Sequence, residues 1–309
     1  MLKVLFSSKP ENWPIYRDPL TSAFSDLDMP VDLSKDHPAA EVDYIIFSPN
    51  GPVRDFSPFT KAKAVLNLWA GVESIVGNPT LTIPLTRMVD PSLTDGMVEW
   101  VTGHVLRHHL GMDQHIHNPD KNWTPIAPPL APDRKVTILG LGELGCACAL
   151  SLKSLNFQVT GWSRTPKAIE GVTCLHGDQG LADALKAAEI LILLLPLTPE
   201  TEDVIDATAL ALLPKGAIVL NPGRGGLIKD VDLLAALESG HVDHATLDAF
   251  RVEPLPKDHV FWSHPKVTVT PHIASETRAP SAARVIAENI RRSESGLPLL
   301  NRVDPTLGY

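Results

Sequence analysis

Three polar residues stand just after apolar runs in the second half of the chain, and their types are those of proton transfer and anion binding. Arg224 lies in Asn221-Pro222-Gly223-Arg224-Gly225-Gly226, after the run ending at Leu220. Glu253 lies in Asp248-Ala249-Phe250-Arg251-Val252-Glu253-Pro254, after the run ending at Leu247. His272 lies in Thr270-Pro271-His272-Ile273-Ala274, after the last such run. A histidine titrates near neutrality and can pass a proton to a reacting atom. A carboxylate on its other ring nitrogen fixes the ring and favours the protonated form. A guanidinium meets a carboxylate as a charge-assisted fork. Singly, each has an ordinary explanation: a surface-turn arginine, a helix-start acid, a core histidine. Together they are delivered to one edge of a sheet.

A second constellation is Gly140-Leu141-Gly142-Glu143-Leu144-Gly145, placed directly after the apolar run Val136–Leu139 and opening a helical stretch. Gly140 permits the tight turn, Gly142 lets the backbone approach a pyrophosphate, and Gly145 allows close helix packing. The helix start at Glu143 and Leu144 presents amides to phosphate. Strand, glycines, helix and next strand together indicate a dinucleotide site, where the letters alone would be weak. The next strand ends Gly161-Trp162-Ser163-Arg164-Thr165. No acid stands there to grip a ribose hydroxyl, whereas Ser163, Arg164, Thr165 and Lys167 offer donors and charge for a 2′-phosphate. NADP(H) is therefore expected, with weaker use of NAD(H); the plain alternative leaves Arg164 and Lys167 as solvated surface residues. Trp162, Pro196, Pro222, Gly223 and Asp248, at the ends of strands, complete the candidate cofactor contacts.

These residues require a frame of parallel strands. Strands are expected at Val4–Phe6, Tyr44–Phe47 and Ala64–Leu68, and then at Val136–Leu139, Val159–Trp162, Val172–Leu175, Ile190–Leu195, Ala217–Leu220, Ala245–Leu247 and Val267–Val269. Continuous apolar runs such as Ile190-Leu191-Ile192-Leu193-Leu194-Leu195 fit strands buried on both faces. A long helix is expected from about Met97 to Leu110, with Val98, Val101, Val105 and Leu106 inward, and a final one from about Pro280 to Glu294. The regular alternation from Lys135 onward implies a doubly wound α/β domain with ligands at the carboxyl ends of its strands. The Pro-rich segment His117–Pro132 shows little periodicity and reads as a linker or an arm to a partner subunit.

The four motifs, from about Ala64 to Ala274, resemble those of the D-2-hydroxyacid dehydrogenase family. Trp162-Ser-Arg-Thr and the Trp262-Ser-His-Pro-Lys-Val lead-in to Thr270 resemble the members that reduce glyoxylate and hydroxypyruvate; the first sixty residues match only loosely. The resemblance implies two doubly wound parallel-sheet α/β domains, a flavodoxin-like substrate domain and a Rossmann dinucleotide domain, with the active site between them and a homodimeric assembly. Residues 1–97, completed by 280–309, would form the first domain and 98–279 the second. It also implies hydride reduction of a small 2-oxo acid, with His272 as the acid, Glu253 as its partner and Arg224 on the substrate carboxylate. Trp69-Ala70-Gly71-Val72 corresponds to the loop whose amides hold that carboxylate. The family usually has a small residue where Trp69 stands, so Trp69 either limits substrate size or packs.

Composition narrows the alternatives. The 309 residues, 44% hydrophobic and 20% charged with a formal net charge of −9, fit an ordinary globular protein and argue against a nucleic-acid surface. No run approaches the roughly 20 apolar residues of a membrane span, and Met1–Ser7 lacks a basic lead, so a cytoplasmic protein without a signal peptide is expected. Cys146, Cys148 and Cys174 suit a reducing compartment. His104 and His108, four apart on the expected helix, are not accompanied by a metal-site pattern; they read as a solvated or interface face, and no metal is expected. A non-catalytic NADPH sensor on the same fold has no use for the joint Arg224, Glu253 and His272 set. A β-hydroxyacid dehydrogenase would carry its glycine loop near the N-terminus.

Overall fold

The computed structural model describes residues 1–123 and 125–306 and divides them into two compact units, Met1–Leu93 with the segment from Glu276 onward, and Thr94–Ser275. The divisions fall a few residues before those expected at 97/98 and 279/280. Thr124, inside the expected arm His117–Pro132, and residues 307–309 lie outside the described residues.

The first unit is built on β1 (Leu2–Ser7), β2 (Val31–Ser34), β3 (Tyr44–Phe47), β4 (Ala64–Asn67) and β5 (Leu85–Thr86), with helix α1 (Trp13–Ser25) between the first two strands. The strands are parallel in the order β2-β1-β3-β4-β5, the flavodoxin-like arrangement. Successive side chains of a strand point to opposite faces, and the two cores follow this alternation. Val4, Phe6, Ile46 and Leu66 face one cluster with Leu20 and Phe24 of α1; Leu5, Ile45, Phe47 and Val65 face another beneath Phe56, Val72 and Ile75.

The second unit carries α2 (Pro91–His109), which opens just ahead of the division, and α3 (Met112–Ile116). It continues through β6 (Lys135–Leu139), α4 (Glu143–Ser154), β7 (Gln158–Ser163), β8 (Thr173–His176), α5 (Gly177–Ala187) and β9 (Ile190–Leu193). It ends with α6 (Ala207–Leu212), β10 (Ala217–Asn221), α7 (Asp230–Glu238), β11 (Val242–Leu247) and β12 (Val267–Val269). All seven strands are parallel, in the order β12-β11-β10-β9-β6-β7-β8. The order reverses between β6 and β9, the switch point where such sheets bind ligands. Alternate residues of the apolar runs again divide between faces: Leu191 and Leu193 pack with α5, α6 and α7, whereas Ile190 and Ile192 pack with α2 and α4. The helix α8 (Ala279–Glu294) belongs to the first unit, where Ala282, Ile286 and Ile290 close its α1-side core.

Several expected elements shift. β9 ends at Leu193 instead of Leu195, since its pairing with β6 finishes with the Leu194 N–H on the Leu139 carbonyl at 2.8 Å. α2 begins at Pro91 rather than Met97, because the Asp90 side chain accepts the Ser92 N–H at 2.9 Å and starts the helix there. His104 and His108 are not a solvated face. The His104 ring packs tilted against Trp100 with centroids 4.3 Å apart, and His108 Nε2 is 2.9 Å from the Thr246 hydroxyl on β11.

Candidate active site

β11 and β12 end side by side, and the turns that leave them hold the acid–base pair. Asp248, the first residue after β11, has no exposed surface. Its Oδ1 accepts the Thr270 hydroxyl at 2.5 Å and the Ile273 N–H at 2.9 Å, and its Oδ2 accepts the Ala274 N–H at 2.9 Å. A buried carboxylate so supplied with donors is a fixed post, and the 270–274 turn is wrapped around it. The turn places His272 at a φ of 54°, a left-handed conformation uncommon for a residue with a side chain. The His272 N–H donates to the Asp248 carbonyl at 2.9 Å.

From that position His272 Nδ1 lies 2.7 Å from Glu253 Oε2, while Glu253 Oε1 accepts the Phe250 N–H at 2.9 Å. The hydrogen bond to Glu253 raises the His272 pKa, against the opposing effects of burial and of the Arg224 charge. Burial pushes the Glu253 carboxyl up, but its bonds to His272 and the Phe250 amide prevail and hold it below the usual range. Both shifts favour an imidazolium–carboxylate pair with Nε2 left for chemistry. The peptide Glu253–Pro254 is cis.

Arg224 follows β10 and acts on this pair, since its charge lowers both the Glu253 and the His272 pKa. Its turn is organised by Asn221, almost wholly buried, whose Nδ2 donates to the Arg224 carbonyl at 2.9 Å and whose Oδ1 accepts the Gly223 N–H at 3.2 Å. Arg224 Nη1 donates to the Gly223 carbonyl at 2.9 Å. Neither the Asn221 brace nor the Asp248 post was singled out from sequence. Asp248 was read as a cofactor contact, yet its side chain is committed to the protein. An amide as the last residue of one apolar strand and an acid just past another were the available signal.

The glycine turn lies at the end of β6. Gly140 has a φ of 108°, and a Cβ there would meet the Leu194 carbonyl oxygen at 2.5 Å. A Cβ on Gly145 would collide with the Gly140 carbonyl, so this glycine admits the turn itself against α4. Around Gly142 there is open space within 4 Å, which leaves room for a phosphate before the α4 N-terminus with Glu143 and Leu144 in its first turn. At the end of β7 the candidates separate. The Trp162 indole N–H donates to the Gly177 carbonyl at 2.9 Å, and its ring packs on the core, so only its backbone faces the edge. The Ser163 hydroxyl donates to the Thr165 carbonyl at 2.8 Å. Arg164, Thr165 and Lys167 are exposed beyond it. Pro196, past β9, has its carbonyl capped by the Thr201 hydroxyl at 2.7 Å, and Pro222 and Gly223 are buried in the Arg224 turn. These residues fit a dinucleotide.

In the first unit, Trp69-Ala70-Gly71-Val72 follows β4. Trp69 is 42% exposed, and the Val72 side chain is buried in the core. Among the described residues no group of three His, Cys, Asp or Glu could hold a metal ion, and no helix is long and apolar enough to cross a membrane.

The family model for the D-isomer specific 2-hydroxyacid dehydrogenase NAD binding domain matches residues 102–274. A protein of Yersinia enterocolitica named glyoxylate/hydroxypyruvate reductase A is 38% identical over 255 residues, covering 80% of this chain and 82% of that one. A Xanthobacter autotrophicus D-isomer specific 2-hydroxyacid dehydrogenase, solved with NADPH and MES, superimposes with a TM-score of 0.93 at 40% identity over 100% and 99% of the two chains. A Sinorhizobium meliloti NADPH-dependent glyoxylate/hydroxypyruvate reductase, solved with NADP and sulfate, gives 0.87 at 33% identity over the whole of both. With the family model matching more than half of the chain and relatives 38–40% identical over at least four fifths of it, the chain belongs to the D-isomer specific 2-hydroxyacid dehydrogenases, a family of NAD(P)-dependent oxidoreductases.

Proposed function

We propose that the protein reduces a small 2-oxo acid, of the size of glyoxylate or hydroxypyruvate, to its 2-hydroxy acid with NADPH. The observation that carries this reading is the 2.7 Å pair of His272 with Glu253, held at the carboxyl edge of a dinucleotide sheet and within the field of Arg224. The names of the Yersinia and Sinorhizobium relatives support the choice of substrate. When bound, the reduced nicotinamide supplies a hydride. His272 Nε2 gives the carbonyl oxygen its proton, and Glu253 stabilises the imidazolium until then. Arg224 holds the substrate carboxylate and polarises the carbonyl. Ala70, Gly71 and Val72 offer backbone N–H groups to the same carboxylate, and Trp69 bounds the size of the substrate.

The second unit takes the role of NADP(H) domain and the first that of substrate domain. Gly142, Glu143 and Leu144 would hold the pyrophosphate in the turn that Gly140 and Gly145 make possible; Arg164, Thr165 and Lys167 would hold the 2′-phosphate; Pro196, Pro222, Gly223 and the backbones of Trp162 and Asp248 would line the remainder. Ser163, its proton committed to Thr165, shapes the turn. NAD(H) is used more weakly, for want of that phosphate. A homodimer fits the exposed apolar side chains of Ile116 at the end of α3 and of Trp123, Ile126 and Leu130 in the arm, and three free cysteines fit work in the cytoplasm. The decisive experiment follows NADPH oxidation by glyoxylate and hydroxypyruvate in wild type and His272→Ala. A drop in kcat of roughly 10²–10⁴ is expected, and near-normal turnover would overturn the assignment.

A further inference from the structure

β4 is buried at every position, and its last residue is an asparagine with no exposed surface. Asn67 Nδ2 donates to the Trp69 carbonyl at 3.0 Å and to the Gly71 carbonyl at 2.9 Å. Its Oδ1 is buried and has no hydrogen-bond partner among the described residues. An apolar side chain would fill this core without leaving an orphaned acceptor, so what the amide contributes is its grip on two carbonyls. The same loop is held elsewhere from behind. The Met88 N–H donates to the Trp69 carbonyl at 2.9 Å, and the Thr277 hydroxyl to the Leu68 carbonyl at 2.9 Å.

A planar trans peptide points its C=O and the following N–H in opposite directions. Fixing the Trp69 and Gly71 carbonyls on Asn67 therefore turns the Ala70 and Val72 N–H groups away from it. No hydrogen bond found among the described residues uses the N–H of Ala70, Gly71 or Val72. Successive backbone N–H groups turned outward make an anion-binding concavity. We infer that Asn67 is a positioning residue for substrate recognition: by holding two carbonyls behind the loop, it keeps the Ala70 and Val72 amides presented to the substrate carboxylate. The inference rests on the reading of loop 69–72 as the carboxylate site. Its own content is that a buried side chain, which touches no substrate, sets the affinity of that site.

The test compares glyoxylate with glyoxal, an aldehyde of the same size without the carboxylate, at saturating NADPH. Asn67→Ala is expected to raise the glyoxylate KM by roughly 10- to 100-fold, the worth of one oriented charge-assisted contact. The expected kcat is within a few-fold of wild type, and kcat/KM for glyoxal is unchanged. Asn67→Ser, which returns one donor, should fall between, and it carries the comparison alone if the alanine variant does not fold. NADPH titration by fluorescence should match wild type in both. Ala70→Pro removes one of the two N–H groups directly and serves as the control for the loop. If it raises the glyoxylate KM while Asn67→Ala does not, the inference falls and the loop reading stands. If neither variant changes KM, the loop reading itself is wrong. Equal losses on glyoxylate and glyoxal in Asn67→Ala would make Asn67 a structural residue and overturn the inference.

Discussion

On the proposed mechanism, the state of His272 decides the pH range in which reduction proceeds. Reduction needs the imidazolium, and Glu253 raises the histidine pKa. Activity is therefore present at low pH and is lost as pH rises through that raised value. Glu253→Gln removes the carboxylate, so the descending limb of kcat/KM against pH should move to lower pH. An unmoved limb would mean that another group donates the proton. In the proposed reading, cofactor choice rests on Arg164. Arg164→Ala should weaken NADPH by roughly 10- to 100-fold, the worth of a charge-assisted contact, and leave NADH nearly unchanged. Fluorescence titration with both nucleotides checks this, and equal losses would withdraw the 2′-phosphate role. At this scale the placement of Arg224, Glu253 and His272 was legible, because each follows an apolar strand, and the structure pairs Glu253 with His272. Asn67 and Asn221 were not, since they act on backbone carbonyls, and a sequence does not display which carbonyls a side chain reaches. A polar residue at the end of an otherwise apolar strand was the one visible trace.

Among elements, the packing of α2 on β11 and β12 brings an acid sensitivity. His108 and His244 pack with tilted rings, centroids 4.9 Å apart, and each ring meets a threonine hydroxyl, of Thr246 and Thr268 respectively. Burial, then the charges of neighbouring His and Arg107, push their pKa values down to about 3 and about 4. Asp113, paired with Arg107, opposes this only in part. Both histidines are neutral in the fold but charge more readily in the unfolded chain. Stability is thus complete above the ordinary histidine pKa and declines as pH falls from about 6.5 towards these lowered values. Replacing His108 with Gln should flatten the fall in Tm between neutral and acid pH; an unchanged slope would exclude the pair as its origin. The strands of the second unit were legible because runs such as Ile190-Leu191-Ile192-Leu193 bury both faces. α1 and β2 were not placed: α1 carries Pro19 inside it, and β2 is only half-buried along its length, so neither shows a clean period.

At the scale of the molecule, the second unit is one continuous stretch of chain, whereas the first is assembled from both ends. A fragment of residues 91–275 contains the glycine turn, Arg164, Arg224, Glu253 and His272, but not loop 69–72 or Asn67. It should bind NADPH with an affinity near that of the full chain and fail to reduce glyoxylate, measured by fluorescence titration and turnover. A fragment that turned over glyoxylate normally would remove the first unit from catalysis. From sequence, the final helix after Ala274 was expected to carry the chain back to the first domain, and α8 packs in the first unit.

That return has a cost during synthesis. The first sheet is complete once β5 has emerged, but the core on its α1 side also needs Ala282, Ile286 and Ile290 of α8. At 5–20 residues per second the ribosome takes on the order of ten to forty seconds to cover the intervening chain. For that time the nascent first unit presents an apolar groove beside Leu20 and Phe24 that its own sequence has not yet filled. The second unit, meanwhile, emerges as one continuous stretch of chain. A nascent chain stalled before α8 should therefore be held by chaperones and cut by protease within residues 1–93, and release from both should coincide with the emergence of the last helix.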